Sequence, residues 1–225
     1  MAEYPTIGFQ PQDGFVYRQS TGPPVRVHQT QISSMKSFND EKKPCFHGDN
    51  RVLMSDGSQK KVSELKKGDE VMSMNSKCPV IGKINCVIKT RCENNKCQMM
   101  ISPSELKITN WHPINTQGKW QFPCEIKDWD QMIIDCDYVY NFVVDLESQT
   151  RTQISHGCIM SIQSMLTCTL GHGFTDDEVI THPYWGTEKV IDDLKKTPGY
   201  ETGLIIFEPS PAIRNSDGEV IGLKL

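Results

Sequence analysis

The chain has no apolar run near the ~20 residues that a membrane-spanning helix requires, so none is expected. It also lacks a basic excess. The net charge is −4 and the lysines and arginines are scattered, which removes the cationic face expected of a nucleic-acid binder. Met1 to Gln10 show no basic region followed by an apolar core, so no signal peptide is expected. There is no convincing internal repeat. The nine cysteines are an odd set without an export signal, so a disulfide framework is not expected. They read as reduced thiols, mostly small buried apolar side chains, in a cytoplasmic protein. Cys92 and Cys97 stand close together, but no second close pair accompanies them, so no metal site is expected.

Apolar side chains are sparse in residues 1–44, too sparse for a core. Pro5, Pro11, Gly14, the run Thr21-Gly22-Pro23-Pro24 and the polar stretch from Gln29 to Asn39 mark this region as a flexible flank or linker. Pro24 to His28 is its one candidate edge strand. Patterned sequence begins abruptly at Cys45, in Cys45-Phe46-His47-Gly48-Asp49-Asn50-Arg51-Val52-Leu53. A chain of 225 residues has room for one substantial domain with tails, or for two small ones.

Beyond Cys45 the texture is that of short strands. Arg51 to Met54 reads as a strand, followed by a turn at Ser55-Asp56-Gly57-Ser58. Val62 to Val71 reads as one helical turn stopped by Gly68, then a strand. Further strands are expected at Val80 to Thr90, Gln98 to Ile101, Lys107 to Thr109, Met132 to Asp135, Tyr138 to Leu146, Arg151 to Ser155 and Cys158 to Ile162. Such close spacing argues for an all-β unit of tightly wound hairpins. After Thr169 the character changes. Thr187 to Lys196 has a threonine at its start, acids early, lysines late and Val190, Ile191 and Leu194 on one stripe, which predicts a helix ended by Pro198-Gly199. Leu204 to Phe207 and Val220 to Leu225 read as closing strands or a frayed tail.

The position of Cys45 suggests chemistry. A thiol at the first position of a compact unit, with a flexible chain on its amino side, can attack the carbonyl just before it, that of Pro44. Amide resonance makes conversion of that bond to a thioester uphill. The site must therefore hold the carbonyl near sulfur, hydrogen-bond the developing oxyanion and protonate the departing nitrogen. A free thiol has a pKa of about 8.5, so some activation of sulfur helps. In Thr109-Asn110-Trp111-His112, the imidazole can relay the proton, and Thr109 can hydrogen-bond the scissile carbonyl or orient His112. The plain alternatives are a buried structural thiol, a strand threonine and a histidine capping a turn before Pro113. Asn141 reads as a buttress, Cys168 as a possible second thiol near the site, and His172 and His182 as loop-bonding residues. Trp111, Trp120, Trp129 and Trp185 read as packing residues.

Three elements occur in order: the Cys45 segment, Leu106-Lys107-Ile108-Thr109-Asn110-Trp111-His112-Pro113-Ile114, and Val139-Tyr140-Asn141-Phe142-Val143-Val144-Asp145. Together they resemble the Hint superfamily, the self-processing domains of hedgehog proteins and inteins. The similarity is greater to the Vint-type Hint domains of von Willebrand A-domain proteins, at Trp111 to Ile114, Tyr140 to Val143, Thr169-Leu170-Gly171-His172-Gly173-Phe174 and His182-Pro183-Tyr184-Trp185-Gly186-Thr187. The resemblance implies an all-β, Hint-type horseshoe of interlocked hairpins over residues 45–203, with a small C-terminal helical extension. Residues 1–44 would then be an extein-like flank and 204–225 a C-terminal strand or tail.

The same resemblance implies autocatalytic self-processing by an N-to-S acyl shift at the Pro44-Cys45 bond. Cys45, Thr109, His112 and a late histidine, His156, would be the catalytic set, with Asn141 and Cys168 in support. The substrate would be the chain's own N-terminal flank, the acceptor water or a small thiol or amine, and no cofactor, metal, nucleic acid or membrane is implied. Two registers fit the hairpin after Tyr140. In one, His156-Gly157 is the turn and Ser161-Ile162 take the place of a terminal His-Asn pair. In the other, the turn is Gln163-Ser164 and His156 is the late histidine. Neither supplies an asparagine to cyclise, so thioester formation followed by hydrolysis or transfer is expected rather than full splicing. Pro44 departs from an easy junction, because its ring crowds the carbonyl under attack and fixes φ. No aspartate between Cys86 and Thr109 matches the sterol-activating residue of hedgehog domains. The rival readings are a processing-incompetent Hint scaffold serving as an interaction module, and a cysteine peptidase acting in trans through Cys45, His112 and Asn141.

Overall fold

Strands dominate the computed structural model, which describes residues 25–26, 44–75, 78–146 and 158–224. Strands β1 (Val25–Arg26), β2 (Phe46–His47), β3 (Arg51–Leu53), β4 (Gln59–Lys61) and β5 (Glu70–Asn75) precede the long β6 (Cys78–Arg91). Then come β7 (Lys96–Ile101), β8 (Lys107–Ile108), β9 (Ile114–Thr116), β10 (Lys119–Gln121), β11 (Asp130–Asp135) and β12 (Tyr138–Leu146). The last part comprises β13 (Ile159–Ile162), β14 (Met165–Cys168), helix α1 (Glu188–Lys196), β15 (Leu204–Phe207), β16 (Ala212–Arg214) and β17 (Val220–Leu223). Among the described residues the protein is all-β with one short α-helix. Strands β1 to β15 belong to one hydrogen-bonded sheet and β16–β17 form a separate hairpin. Among the described residues no helix is long and apolar enough to cross a membrane.

The site is positioned by three strands. β2 pairs with β12 on one side, placing Phe46 opposite Tyr140, and with β8 on the other, placing Phe46 opposite Ile108. Cys45 immediately precedes β2, Thr109 immediately follows β8, and Asn141 lies within β12. A cysteine, a threonine and an asparagine far apart in the chain are thereby neighbours across adjacent strands.

β12 is buried along nearly its whole length, which is why it reads as a continuous apolar run rather than an alternating one. Period two still sorts its side chains. Tyr140, Phe142, Val144 and Leu146 enter the main core with Phe46, Ile84, Ile108 and Met160. Val143 enters a second core with Cys86, Ile88, Leu170, Tyr184 and the buried face of α1. Asn141 lies on the Val143 side of the pleat. The segment after β14 covers that face: Leu170 N donates to the Phe142 carbonyl at 3.1 Å, and Gly171 N donates to the Trp185 carbonyl at 2.8 Å. Gly171 has φ +66, and a Cβ there would lie 2.6 Å from Ile191 Cγ1. Glycine is thus required both by backbone conformation and by the close approach of α1.

Val190, Ile191 and Leu194 form the buried stripe of α1, as the periodicity predicts. Thr187 occupies the N-cap position, but its hydroxyl donates back to the Tyr184 carbonyl at 3.0 Å instead of capping the helix. Replacing Ile191 with alanine removes a fully buried side chain from this seam and is expected to cost about 2–5 kcal/mol, read as a lowered urea midpoint.

Two short elements differ from the sequence expectation. β9 and β10 form a hairpin over Ile114–Gln121 whose turn residues, Gln117 and Gly118, have φ 54 and 84. Pro113 before it and strands of three residues leave too little pattern to read. β14 pairs with β13 across a turn at Gln163 and Ser164, with φ 50 and 63, which is the second of the two registers considered. The expected strand Arg151 to Ser155 lies outside the described residues.

Candidate functional site

The peptide bond between Pro44 and Cys45 is held at both of its polar atoms. The Pro44 carbonyl accepts a hydrogen bond from Asn141 Nδ2 at 2.5 Å. The Cys45 N–H donates to Thr109 Oγ1 at 2.9 Å, and the Thr109 N–H returns a bond to the Cys45 carbonyl at 3.0 Å. Asn141 is fixed in its amide orientation because its Oδ1 accepts the Phe142 N–H at 2.7 Å, which leaves Nδ2 as the end facing Pro44. Cys45, Thr109, His112 and Asn141 are 3%, 2%, 0% and 3% exposed, so all four groups interact away from bulk water.

His112 is fully buried. Its Nε2 lies 2.7 Å from the Cys168 carbonyl, which can only accept, so Nε2 carries the proton and Nδ1 the lone pair. Nδ1 is buried and, among the described residues, has no hydrogen-bond partner of normal geometry. The Cys45 carbonyl lies near enough to favour the protonated ring, though without normal hydrogen-bond geometry to Nδ1. Burial outweighs this and pushes the imidazole down to about 4, so it is neutral near pH 7. The Phe46 ring, with its centroid 4.1 Å from that of His112, closes one side. His112 N also donates to the Thr109 carbonyl at 3.2 Å, so the turn after β8 carries both side chains together.

The sequence offered Thr109 as the partner of the scissile carbonyl or of His112. In the structure its hydroxyl is on the nitrogen side of the bond, and the carbonyl donor is Asn141, which the sequence suggested only as a buttress. One signal was available. Asn141 is the lone polar residue between Val139 and Val144, and a polar group in a strand covered on both faces needs a hydrogen-bond partner. Cys168 takes part through its backbone carbonyl. Its thiol is buried and pushed well above the usual range by desolvation, which suits an inert packing group. The Cys45 side chain packs in a small cluster with Cys92, Met99, Cys136 and Val139. His156 lies outside the described residues. Among the described residues no group of three or more metal-binding side chains is arranged to hold an ion.

His172 and His182 form part of the wall beside the junction. His172 Nδ1 accepts the Phe174 N–H at 3.0 Å, and His182 Nδ1 accepts the N–H groups of Tyr184 and Trp185, each at 3.0 Å. Both rings therefore carry their proton on Nε2. Burial pushes each down to about 4. Their role is to fold the extension over Asn141.

The Pro44–Cys45 bond and a buried imidazole thus lie together in a β-sheet framework. A family model for Vint, described as a Hint-domain, matches residues 44–222. The chain therefore belongs to the Vint family of Hint domains, a family of self-processing type. Among solved structures it is similar to a DnaB intein from Synechocystis sp. PCC 6803, at 15% identity over 56% of this chain and 99% of that one, with a TM-score of 0.38. It is also similar to a bacterial intein-like domain from Clostridium thermocellum, at 13% identity over 57% of this chain and 99% of that one, with a TM-score of 0.41. No curated protein matches.

Proposed function

We propose that the chain cleaves itself at the Pro44–Cys45 bond through an N-to-S acyl shift, and that the thioester is then hydrolysed or passed to a small nucleophile. The observation that carries this reading is the double grip on one peptide bond, with Asn141 on its oxygen and Thr109 on its nitrogen. Cys45 Sγ attacks the Pro44 carbonyl carbon. Asn141 Nδ2–H stabilises the oxyanion as the C–O bond lengthens. His112 Nδ1, the available lone pair, takes the thiol proton and returns it to the Cys45 nitrogen as the C–N bond breaks, with the Thr109 hydroxyl positioned to relay it. The acyl group then rests on sulfur as a thioester, and the new Cys45 amine is free.

Cis chemistry is also supported over a peptidase acting in trans. The Asn141 side chain bonds the chain's own carbonyl and Phe142 N rather than the imidazole, and His112 is oriented by the Cys168 carbonyl. The scaffold reading gains one observation, the packing of Cys45 among apolar neighbours and thiols, which must loosen for sulfur to attack.

Intact mass spectrometry tests the reading. Incubation with hydroxylamine or dithiothreitol is expected to yield a fragment ending at Pro44, and Cys45→Ala to yield none. Pro44→Gly relieves crowding at the carbonyl and is expected to speed release at least tenfold. An unaltered mass for both wild type and Pro44→Gly would favour the scaffold reading.

A further inference from the structure

The extension after β14 does more than cover Asn141. Between it and the sheet lies an open cleft of about 630 Å³, including solvent at its mouth, with Pro44, His112 and Asn141 on one wall. Most of the remaining lining is apolar, including Trp111, Phe122, Ile180 and Trp185. Among the described residues no carboxylate lines it, and the one arginine or lysine is Arg214. One guanidinium nitrogen of Arg214 donates to the Gly218 carbonyl at 2.7 Å within the β16–β17 hairpin, which orients the group and leaves its other donors for a ligand. Among the described residues no acid pairs with it.

We propose that this cleft is the seat of the acyl acceptor, and that it selects a small amphipathic nucleophile with an aromatic body, an anionic group directed at Arg214 and a free thiol or amine directed at Pro44. The inference rests on the self-cleavage reading for its chemistry but not for its binding. In the transfer step the acceptor's sulfur or nitrogen bonds to the Pro44 carbonyl carbon and gives its proton to His112. The carbon–sulfur bond to Cys45 breaks, and the departing thiolate takes that proton. The released flank carries the acceptor on Pro44.

Binding is tested on the intact Cys45→Ala chain with 4-fluorophenylacetate, which cannot react, by fluorine NMR line broadening. Saturable binding is expected, weakened about tenfold by Arg214→Gln and recovered in Arg214→Lys, with no saturable binding of the cation 4-fluorophenethylamine. Thermal melting of each variant guards against simple unfolding. In the wild type, 4-mercaptophenylacetate is expected to release the flank about tenfold faster than cysteamine at equal thiolate concentration. Absence of saturable binding, equal binding of the cation, or full retention in Arg214→Gln would each overturn the acceptor seat. Binding as expected but no release with any thiol or with hydroxylamine would instead refute self-cleavage, and transfer with it, while leaving an anion-selective aromatic cleft.

Discussion

Asn141→Ala is expected to slow release of the N-terminal flank by about a hundredfold to a thousandfold, the usual consequence of losing one oxyanion donor. The amide bonds the Pro44 carbonyl already in the ground state, so only the part of that bond that strengthens during attack contributes to rate. That part is substantial. A hydrogen bond to an ionised oxygen is roughly twice as strong as one to a neutral carbonyl, and Asn141 is almost wholly buried. Stability should fall as well, by about 2–4 kcal/mol, because the buried bonds to the Pro44 carbonyl and from Phe142 N are both lost. Rate and melting temperature measured on the same variant therefore separate chemistry from folding. Thr109→Ala is expected to show a smaller defect, since its hydroxyl serves the departing nitrogen rather than the oxyanion. Both side chains hold the same peptide bond, so the double variant should be less impaired than the product of the two single defects. Multiplicative defects would mean that the two act independently, and an unchanged rate in Asn141→Ala would remove it from the mechanism.

Much of this architecture was legible because the relevant signals are local. Cys45 opens patterned sequence, Thr109 and His112 share a turn, and the stripe Val190, Ile191, Leu194 declares its helix. What could not be read depends on strand pairing. That Asn141 meets Pro44 follows from β2 lying between β8 and β12, and no spacing in the chain encodes that order. The orientation of His112 is set by a backbone carbonyl, that of Cys168, whose side-chain type is irrelevant to the contact. The turn at Gln163 and Ser164 was ambiguous because both residues adopt positive φ without glycine, so the usual composition cue is absent. Thr187 shows the limit of a cap rule: the residue type fits, yet nearby carbonyls compete for its hydroxyl.

Acid should unfold this domain more readily than its few salt bridges would suggest. His112 and His172 are held neutral by burial, with folded pKa values of about 4 against about 6.5 in an unfolded chain. Between those limits the unfolded state binds more protons, so stability falls as pH falls. The contribution is full above pH 6.5, declines through pH 5 and is lost near pH 4. A shift of this size in a fully buried group is worth about 3 kcal/mol, and His172 adds a term of the same order. Together they are comparable to the lower end of a typical domain's stability, about 5–15 kcal/mol. His182 is partly exposed and adds less, but it feels the fixed charge of Arg214 and the ring of His172, and His112 also feels His172, so charging one imidazole makes charging the next harder. These rings fold the extension onto the sheet, so protonation should detach that layer and expose Asn141 before the main core yields. Urea unfolding between pH 4 and pH 8 is expected to show uptake of about two protons near pH 5. Hydrogen exchange should report early opening around Leu170 and Gly171. Stability that stays level from pH 7 to pH 4 would mean that these imidazoles find solvent or a counter-charge in the folded state, and the account of a dry, neutral base at His112 would fall with it.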